Sequence, residues 1–475
     1  MSDQSLSAEP PLRLWSKVES LAEGCAPCTQ RELWGWCAAS VAALAVAGIF
    51  AVLLALSRIP GIQDVFPWPL DFFKKGLVIH VIFSFVVWFL GVFGALLHLA
   101  TVRITGGEPK FRQLGRFALM SLGAAFFLLF LPAFKDRGEP ILNNYVPVIT
   151  DPLYYAGLAV LGAGILLEAV RLFLNLGSRK NPHGPLSLGL TLAAGIYAVA
   201  LLCFALAYGR IAGDAVDHTF NESLFWGGGH VLQFVNVTLL AVAWYMLGGM
   251  AFGAPLGSER LHTAAVVLPA VFAALAPLFY LAFDGARQPE FTDLQYALAP
   301  PALLAAGTTA IGILGHRADK GGLPWRDPAF VCLVLSIGVF GLGGLLGLFV
   351  DGTDTRTPAH YHGVIAGINL AFMGLFFRLF LPLLDRQVKR GKALFAQVWL
   401  FGLGQGFASL GLFLAGGYGT PRKMAGAEQG LTHIAQKIGM TMNGVGAAIA
   451  VIGGVMFIWT VSAALLRRPR HPSDS

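Results

Sequence analysis

Ala359-His360-Tyr361-His362-Gly363 opens one apolar run of this chain, and His80-Val81-Ile82-Phe83-Ser84-Phe85-Val86-Val87-Trp88-Phe89 opens another. These histidines decide how the sequence is read, because ionisable side chains at bilayer depth are costly and mark a cofactor, an ion path or a substrate site. In so apolar a protein the usual reason for buried imidazole is iron or copper. A helix advances about 100° per residue, so a His-x-His pair points its two rings roughly 200° apart. One helix can then serve two haems, one on each side.

The rest of the chain agrees with a membrane setting. Of its 475 residues, 56% are hydrophobic and only 12% charged, with 58 glycines. That composition excludes an ordinary soluble enzyme and predicts an all-α, polytopic membrane protein. Apolar stretches of spanning length are expected at 33–57, 77–102, 114–133, 152–175, 186–209, 222–249, 263–283, 292–314, 327–350, 358–384, 394–415 and 438–466. Twelve transmembrane helices thus form one membrane domain over 33–466, between cytoplasmic tails at 1–32 and 467–475. The N-terminal tail has no apolar core of the length a cleaved signal requires, so the first span is expected to act as its own insertion signal. With the N-terminus inside, the inner segments carry 20 of the 33 Lys and Arg and the outer loops 11. This bias predicts cytoplasmic termini and an inner-membrane location in a bacterial-type cell. The net charge of +7 is accounted for by topology and anionic lipid, with no nucleic-acid partner implied. Cys25-Ala-Pro-Cys28 lacks the following His of a haem-attachment motif, and a cytoplasmic position argues against a disulfide.

Depth sorts the eleven histidines. Spans 2, 6, 10 and 12 start at the outer face, which puts His80, His230, His360 and His362 within roughly 12 Å of the outer ends of their helices, at about 1.5 Å per residue. They can share one layer of the membrane. The other histidines, including His98 at the inner end of span 2 and His262 in an inner loop, are read as solvated or interfacial. Two axial histidines saturate a low-spin haem, whereas one leaves a position open for gas. Four histidines in one layer allow one haem of each kind and a distal residue.

With Phe225-Trp226-Gly227-Gly228-Gly229-His230, Ala371-Phe372-Met373-Gly374 and Gly419-Thr420-Pro421-Arg422-Lys423 added in order, the chain resembles catalytic subunit I of the haem-copper oxidase superfamily over nearly its whole length. The resemblance implies a twelve-helix core holding two haems, one low-spin and one high-spin, of b type. It makes His80 and His362 the axial ligands of the low-spin haem and His360 the proximal ligand of the high-spin haem. Tyr361 lies between the haems, Arg422 and Lys423 pair with the propionates, and His230 is one ligand of a non-haem metal. The implied activity is that of a respiratory oxidoreductase, of the cytochrome c oxidase or nitric oxide reductase kind. Electrons from cytochrome c, a cupredoxin or quinol, delivered with a small membrane-anchored subunit, would reduce O2 or NO.

The chain departs from that family at the second metal. Residues 263–300 contain no histidine where the family has a His-His pair, Phe234 stands four residues after His230, and span 8 has no lysine. One imidazole does not hold copper in a three-coordinate site. A copper-free relative that conducts electrons or binds gas without turnover is therefore the alternative function. Twelve spans also suit a secondary transporter, but those carry carboxylates near the midplane, and the acidic residue read inside a span is Glu168, near an inner helix end.

Overall fold

The computed structural model describes residues 27–57, 70–178, 185–320, 322–350, 352–386, 388, 391–424 and 429–467. Among these, twelve helices have the length and apolarity to cross a membrane. They are α1 (Thr29–Leu54), α2 (Phe73–Thr105), α3 (Arg112–Phe134), α4 (Pro152–Asn175), α5 (Leu186–Ile211), α6 (His218–Phe252), α7 (Glu259–Ala282), α8 (Glu290–Asp319), α9 (Pro328–Gly347), α10 (Arg356–Leu383), α11 (Lys392–Gly416) and α12 (Ile434–Leu466). They match the expected spans one for one, and the chain is an all-α class, multi-pass membrane protein whose loop between α3 and α4 carries one short antiparallel pair, Pro140–Ile141 with Val148–Ile149. Helical structure already begins at Pro27. Residues 1–26 and 468–475, and with them Cys25, lie outside the described residues.

The helix starts follow from local chemistry. Asp151-Pro152 and Asp327-Pro328 repeat one device: the carboxylate accepts the Leu153 or Ala329 amide and proline takes the first helical position, where no amide partner is required. Asp217 and Ser258 cap α6 and α7 in the same way, and His433 with Gln436 forms a reciprocal cap on α12.

Three helices form the interior of the bundle. The apolar window of α6 is 89% buried, that of α10 78% and that of α2 72%, whereas no other exceeds 56%. These are the helices that carry His80, His230, His360 and His362. The peripheral α7, α8 and α12 bury a third or less and turn apolar side chains outward, as lipid-facing helices do.

Close approach of backbones builds the bundle. A Cβ at Gly363 of α10 would lie 2.6 Å from the Gly343 Cα of α9, and one at Gly367 would lie 2.5 Å from Phe340 Cβ. On α11 and α12, Gly404 meets Gly446, Gly411 meets Gly439, and Gly453 lies against the backbone of Gln397 and Phe401; Gly439, Gly446 and Gly453 recur every seventh residue along one stripe. In lipid there is no hydrophobic drive between helices, and small residues let dispersion contacts form over a long seam. Gly446→Leu would press a side chain onto Ala408 N and Gly404 O. Thermal unfolding in detergent is expected to show a loss of about 1–3 kcal/mol, the usual cost of overpacking.

Candidate functional site

Trp88 of α2 sets the register of the site. Its indole N–H donates to Asn369 Oδ1 of α10 at 2.7 Å, and its ring stacks on Phe376 at 5.5 Å. Both helices run in the same direction, from the face opposite the start of α1. His80 precedes Trp88 by eight residues and His362 precedes Asn369 by seven. The two histidines therefore stand about two turns above one shared contact. Seven residues return a helix to within about 20° of the same face, so His362 faces α2 as Asn369 does. Nine residues turn it by about half a circle, so His360 faces the other way. It meets α9 there, where Nδ1 lies 2.8 Å from the Gly343 carbonyl.

Gly347 leaves the space for that ring, since a Cβ there would come within 2.5 Å of His360 Nδ1. His80 is oriented in the same manner, with Nδ1 2.9 Å from the Ala47 carbonyl of α1. Immediately after it, Ile82–Val87 form a π-helical turn, and such turns widen a helix mostly at functional positions. Tyr361 is 40% exposed and stacks on His362 with ring centres 5.1 Å apart.

His230 is buried on α6 with Nδ1 2.7 Å from the Trp226 carbonyl. Aromatic rings surround it: Tyr145 at 4.5 Å, Trp226 at 4.6 Å and Phe291 at 6.0 Å between centroids. Sequence reasoning missed Tyr145, which reaches this position from the loop between α3 and α4. Its φ of 62° is unusual for a residue with a side chain, and such backbone strain collects at functional positions. Burial, and then the charge of Glu222, raise its hydroxyl pKa, so the ring stays neutral at physiological pH. α6 starts earlier than expected, which puts His230 twelve residues in rather than eight. Two contacts between α6 and α10, Leu247 on Gly374 and Trp244 through Ser336 to Gly367, fix their relative register. At about 1.5 Å per residue they put His230 some 5 to 10 Å nearer than His360 to the face at which α6 and α10 begin.

Arg422 and Lys423 lie beside the start of α10. Thr355 donates its amide to Thr420 O, Arg422 donates to Thr353 O, and Asp354 bridges Pro421. The Lys423 ammonium donates to Leu142 O, in the same loop as Tyr145.

The acidic residues correct the sequence reading. Glu32 and Glu222 also lie within helices, the first paired with Arg171 and the second accepting from Asn144. His98 and His262 are buried rather than solvated, and one nitrogen of each ring, Nε2, finds a backbone carbonyl, that of Thr29 at the start of α1 or that of Leu256 in the loop before α7.

Imidazoles that hold metals commonly have one nitrogen fixed by a carbonyl so that the other points at the ion. His80 and His360 have this form, and the donor set fits axial ligation of haem iron. The second metal is different: among the described residues no group of three His, Cys, Asp or Glu side chains is arranged to hold a metal ion, and the rings around His230 are aromatic. That donor set does not fit a copper ion.

The sequence of the chain matches the family described as cytochrome c and quinol oxidase polypeptide I over residues 33–467. The chain belongs to this family. It is 25% identical over 493 residues to an uncharacterised protein of Rickettsia prowazekii, covering 89% of this chain and 94% of that one. It is 27% identical over 314 residues to cytochrome c oxidase subunit 1 of Thermus thermophilus, covering 60% and 54%. A solved heme-copper terminal oxidase dimer superimposes with a TM-score of 0.77 at 16% identity, over 94% of this chain and 85% of that one, which shows a shared fold.

The loop that carries Tyr145 is anchored by Asp151, whose buried carboxylate lies 3.0 Å from Arg137 Nε and 3.5 Å from Lys135 Nζ. Burial alone would raise its pKa; the Leu153 amide, Lys135 and Arg137 outweigh this and lower it. A carboxylate with a lowered folded pKa stabilises above its unfolded value of about 3.9 and loses that contribution as pH falls through the folded value. Asp151→Asn keeps a capping oxygen but no charge. Thermal midpoints of wild type and variant should differ at neutral pH and converge in acid below about pH 4.

Proposed function

We propose that the chain is the haem-carrying subunit of a membrane oxidoreductase that passes electrons from a soluble or lipid-borne donor to a small gas, O2 or NO. The observation that carries this reading is the division of labour on α10: His362 faces α2 and His80, while His360 faces away and is fixed to the Gly343 carbonyl. His80 and His362 would hold one haem, and His360 would hold a second. When bound, the haems supply one-electron carriers and, at the iron with a single histidine, an open position for gas.

The protein's own residues orient and exclude. The Ala47 and Gly343 carbonyls fix the His80 and His360 rings, and the Trp88–Asn369 hydrogen bond holds α2 and α10 in register. Trp226, Phe291 and Tyr145 keep water from His230, and Tyr361 beside His362 would lie between the haems. Arg422 and Lys423 supply positive charge at the same end of α10, suited to propionates. Electrons would arrive from cytochrome c, a cupredoxin or quinol with the help of a small membrane-anchored subunit. The termini would face the cytoplasm of a bacterial-type cell, flanking a membrane domain over 33–466. A second reading, a copper-free electron conduit or gas-binding protein without turnover, is favoured by the aromatic rather than metal-ligating surroundings of His230.

The carbon monoxide difference spectrum of the reduced protein, with haem and copper quantified on the same sample, tests the proposal. A CO-binding haem beside a six-coordinate one supports it. With about one copper per chain a reductase is favoured, and without copper the second reading. A protein that takes up no haem refutes both.

His80→Ala and His362→Ala should each abolish the low-spin signal. His360→Ala should abolish CO binding while sparing much of the low-spin spectrum. Gly347→Val, which displaces the His360 ring without touching a ligand, should resemble His360→Ala; an unchanged CO spectrum in both would disprove the assignment of His360.

A further inference from the structure

At the end of α2 remote from His80, about 27 Å along the helix axis at 1.5 Å per residue, lies a second group of buried ionisable side chains. His98 Nδ1 is 3.3 Å from Glu32 Oε2 of α1 and 3.8 Å from Glu168 Oε1 of α4. Arg171 Nη1 bridges the same two carboxylates at 2.7 and 3.4 Å. His98, Glu168 and Arg171 are fully buried, and the Glu32 side chain is 11% exposed. Among the described residues, Glu32, Glu168 and Arg171 are the charged groups that face His98. Gly115 of α3 covers Arg171, and the Lys110 carbonyl accepts from Arg171 Nε.

The count of protons here is incomplete. The contacts of the two His98 nitrogens are acceptors: two carboxylates at Nδ1 and the Thr29 carbonyl, 3.1 Å away, at Nε2. A neutral imidazole has one N–H, and its lone pair would then point at an oxygen. His98 Nδ1 and Glu168 Oε2 are also buried atoms without a hydrogen-bond partner. With neutral histidine, the two carboxylates and one guanidinium leave a net charge of −1 in a water-poor interior, which is expensive. One further proton, on His98 Nδ1 or Glu168 Oε2, brings the group to zero and satisfies an orphaned atom.

We infer that His98, Glu32 and Glu168 form a buried site that binds one exchangeable proton, with Arg171 as its fixed counter-charge. The step is the binding of a proton from water, with no electron transfer and no covalent change besides the new N–H or O–H bond. Glu32, the one partly exposed member, connects the site to the face that bears the termini. A gas-reducing reaction consumes protons, and this site would let them into the bundle from that face. The site itself is independent of haem.

The test is an infrared pH titration of the full-length protein in lipid, in H2O and D2O, for wild type, His98→Gln and Glu168→Gln. Besides the fast-exchanging surface groups, wild type should show one slowly exchanging, deuterium-sensitive protonation that the difference spectra against the variants isolate. In His98→Gln it should move to a carboxyl group, giving a carboxylic C=O band. In Glu168→Gln, where neutral histidine already balances the charge, it should vanish from the accessible pH range. Identical difference spectra in all three would overturn the proposal and leave the group a permanent ion-pair staple. If the variants do not fold, wild type still decides: a titrating carboxyl or imidazole band that exchanges slowly into D2O supports the site, and the lack of such a band refutes it.

Discussion

The contact between α9 and α10 is the constraint on which the candidate site depends. Gly343 and Gly363 meet backbone to backbone, with no room for a Cβ on either. This approach brings the Gly343 carbonyl within reach of His360, and the carbonyl then fixes the ring. In water the hydrophobic effect would drive two such helices together almost regardless of detail. In lipid only short-range packing and hydrogen bonds remain, so the fit of small residues decides which faces meet. Once α10 is seated on α9, helical periodicity turns His362 toward α2 with no further choice to be made.

Histidine placement and burial reinforce one another. The three helices that bear these four histidines are also the three most enclosed, although α6 and α10 are less apolar than several helices at the periphery. Polar side chains are costly against lipid and are accommodated where they meet other protein groups. Trp88 to Asn369, and Trp244 through Ser336 to the Gly367 carbonyl, are hydrogen bonds of this kind; the first fixes the axial register of His80 against His362, and the second that of α6 against α10.

His230 shows how family likeness and local chemistry can diverge. The fold presents this imidazole from α6, yet Tyr145, Trp226 and Phe291 occupy its surroundings, and α7 offers Tyr280 where a histidine pair would be required. Tyr145 is held there by a loop that Asp151, Lys75 and Lys423 tie down on three sides. An aromatic enclosure of this kind excludes water without providing metal donors. Membership of the family and the chemistry at its second metal site are thus separate questions for this chain.

The sequence by itself determined the twelve spans, their order and the candidate ligands. Span length follows from bilayer thickness, and His-x-His on a helix implies opposed rings through backbone geometry alone. These are local properties, written in consecutive residues. The sequence did not determine that Tyr145 approaches His230, or that Glu32, His98, Glu168 and Arg171 share one buried site. Each of these unites residues separated by tens of positions, and a lone Glu near a helix end looks the same whether it faces water or an arginine. Only the tertiary structure decides that, because the free energy of a buried charge depends on which partner the packing brings beside it.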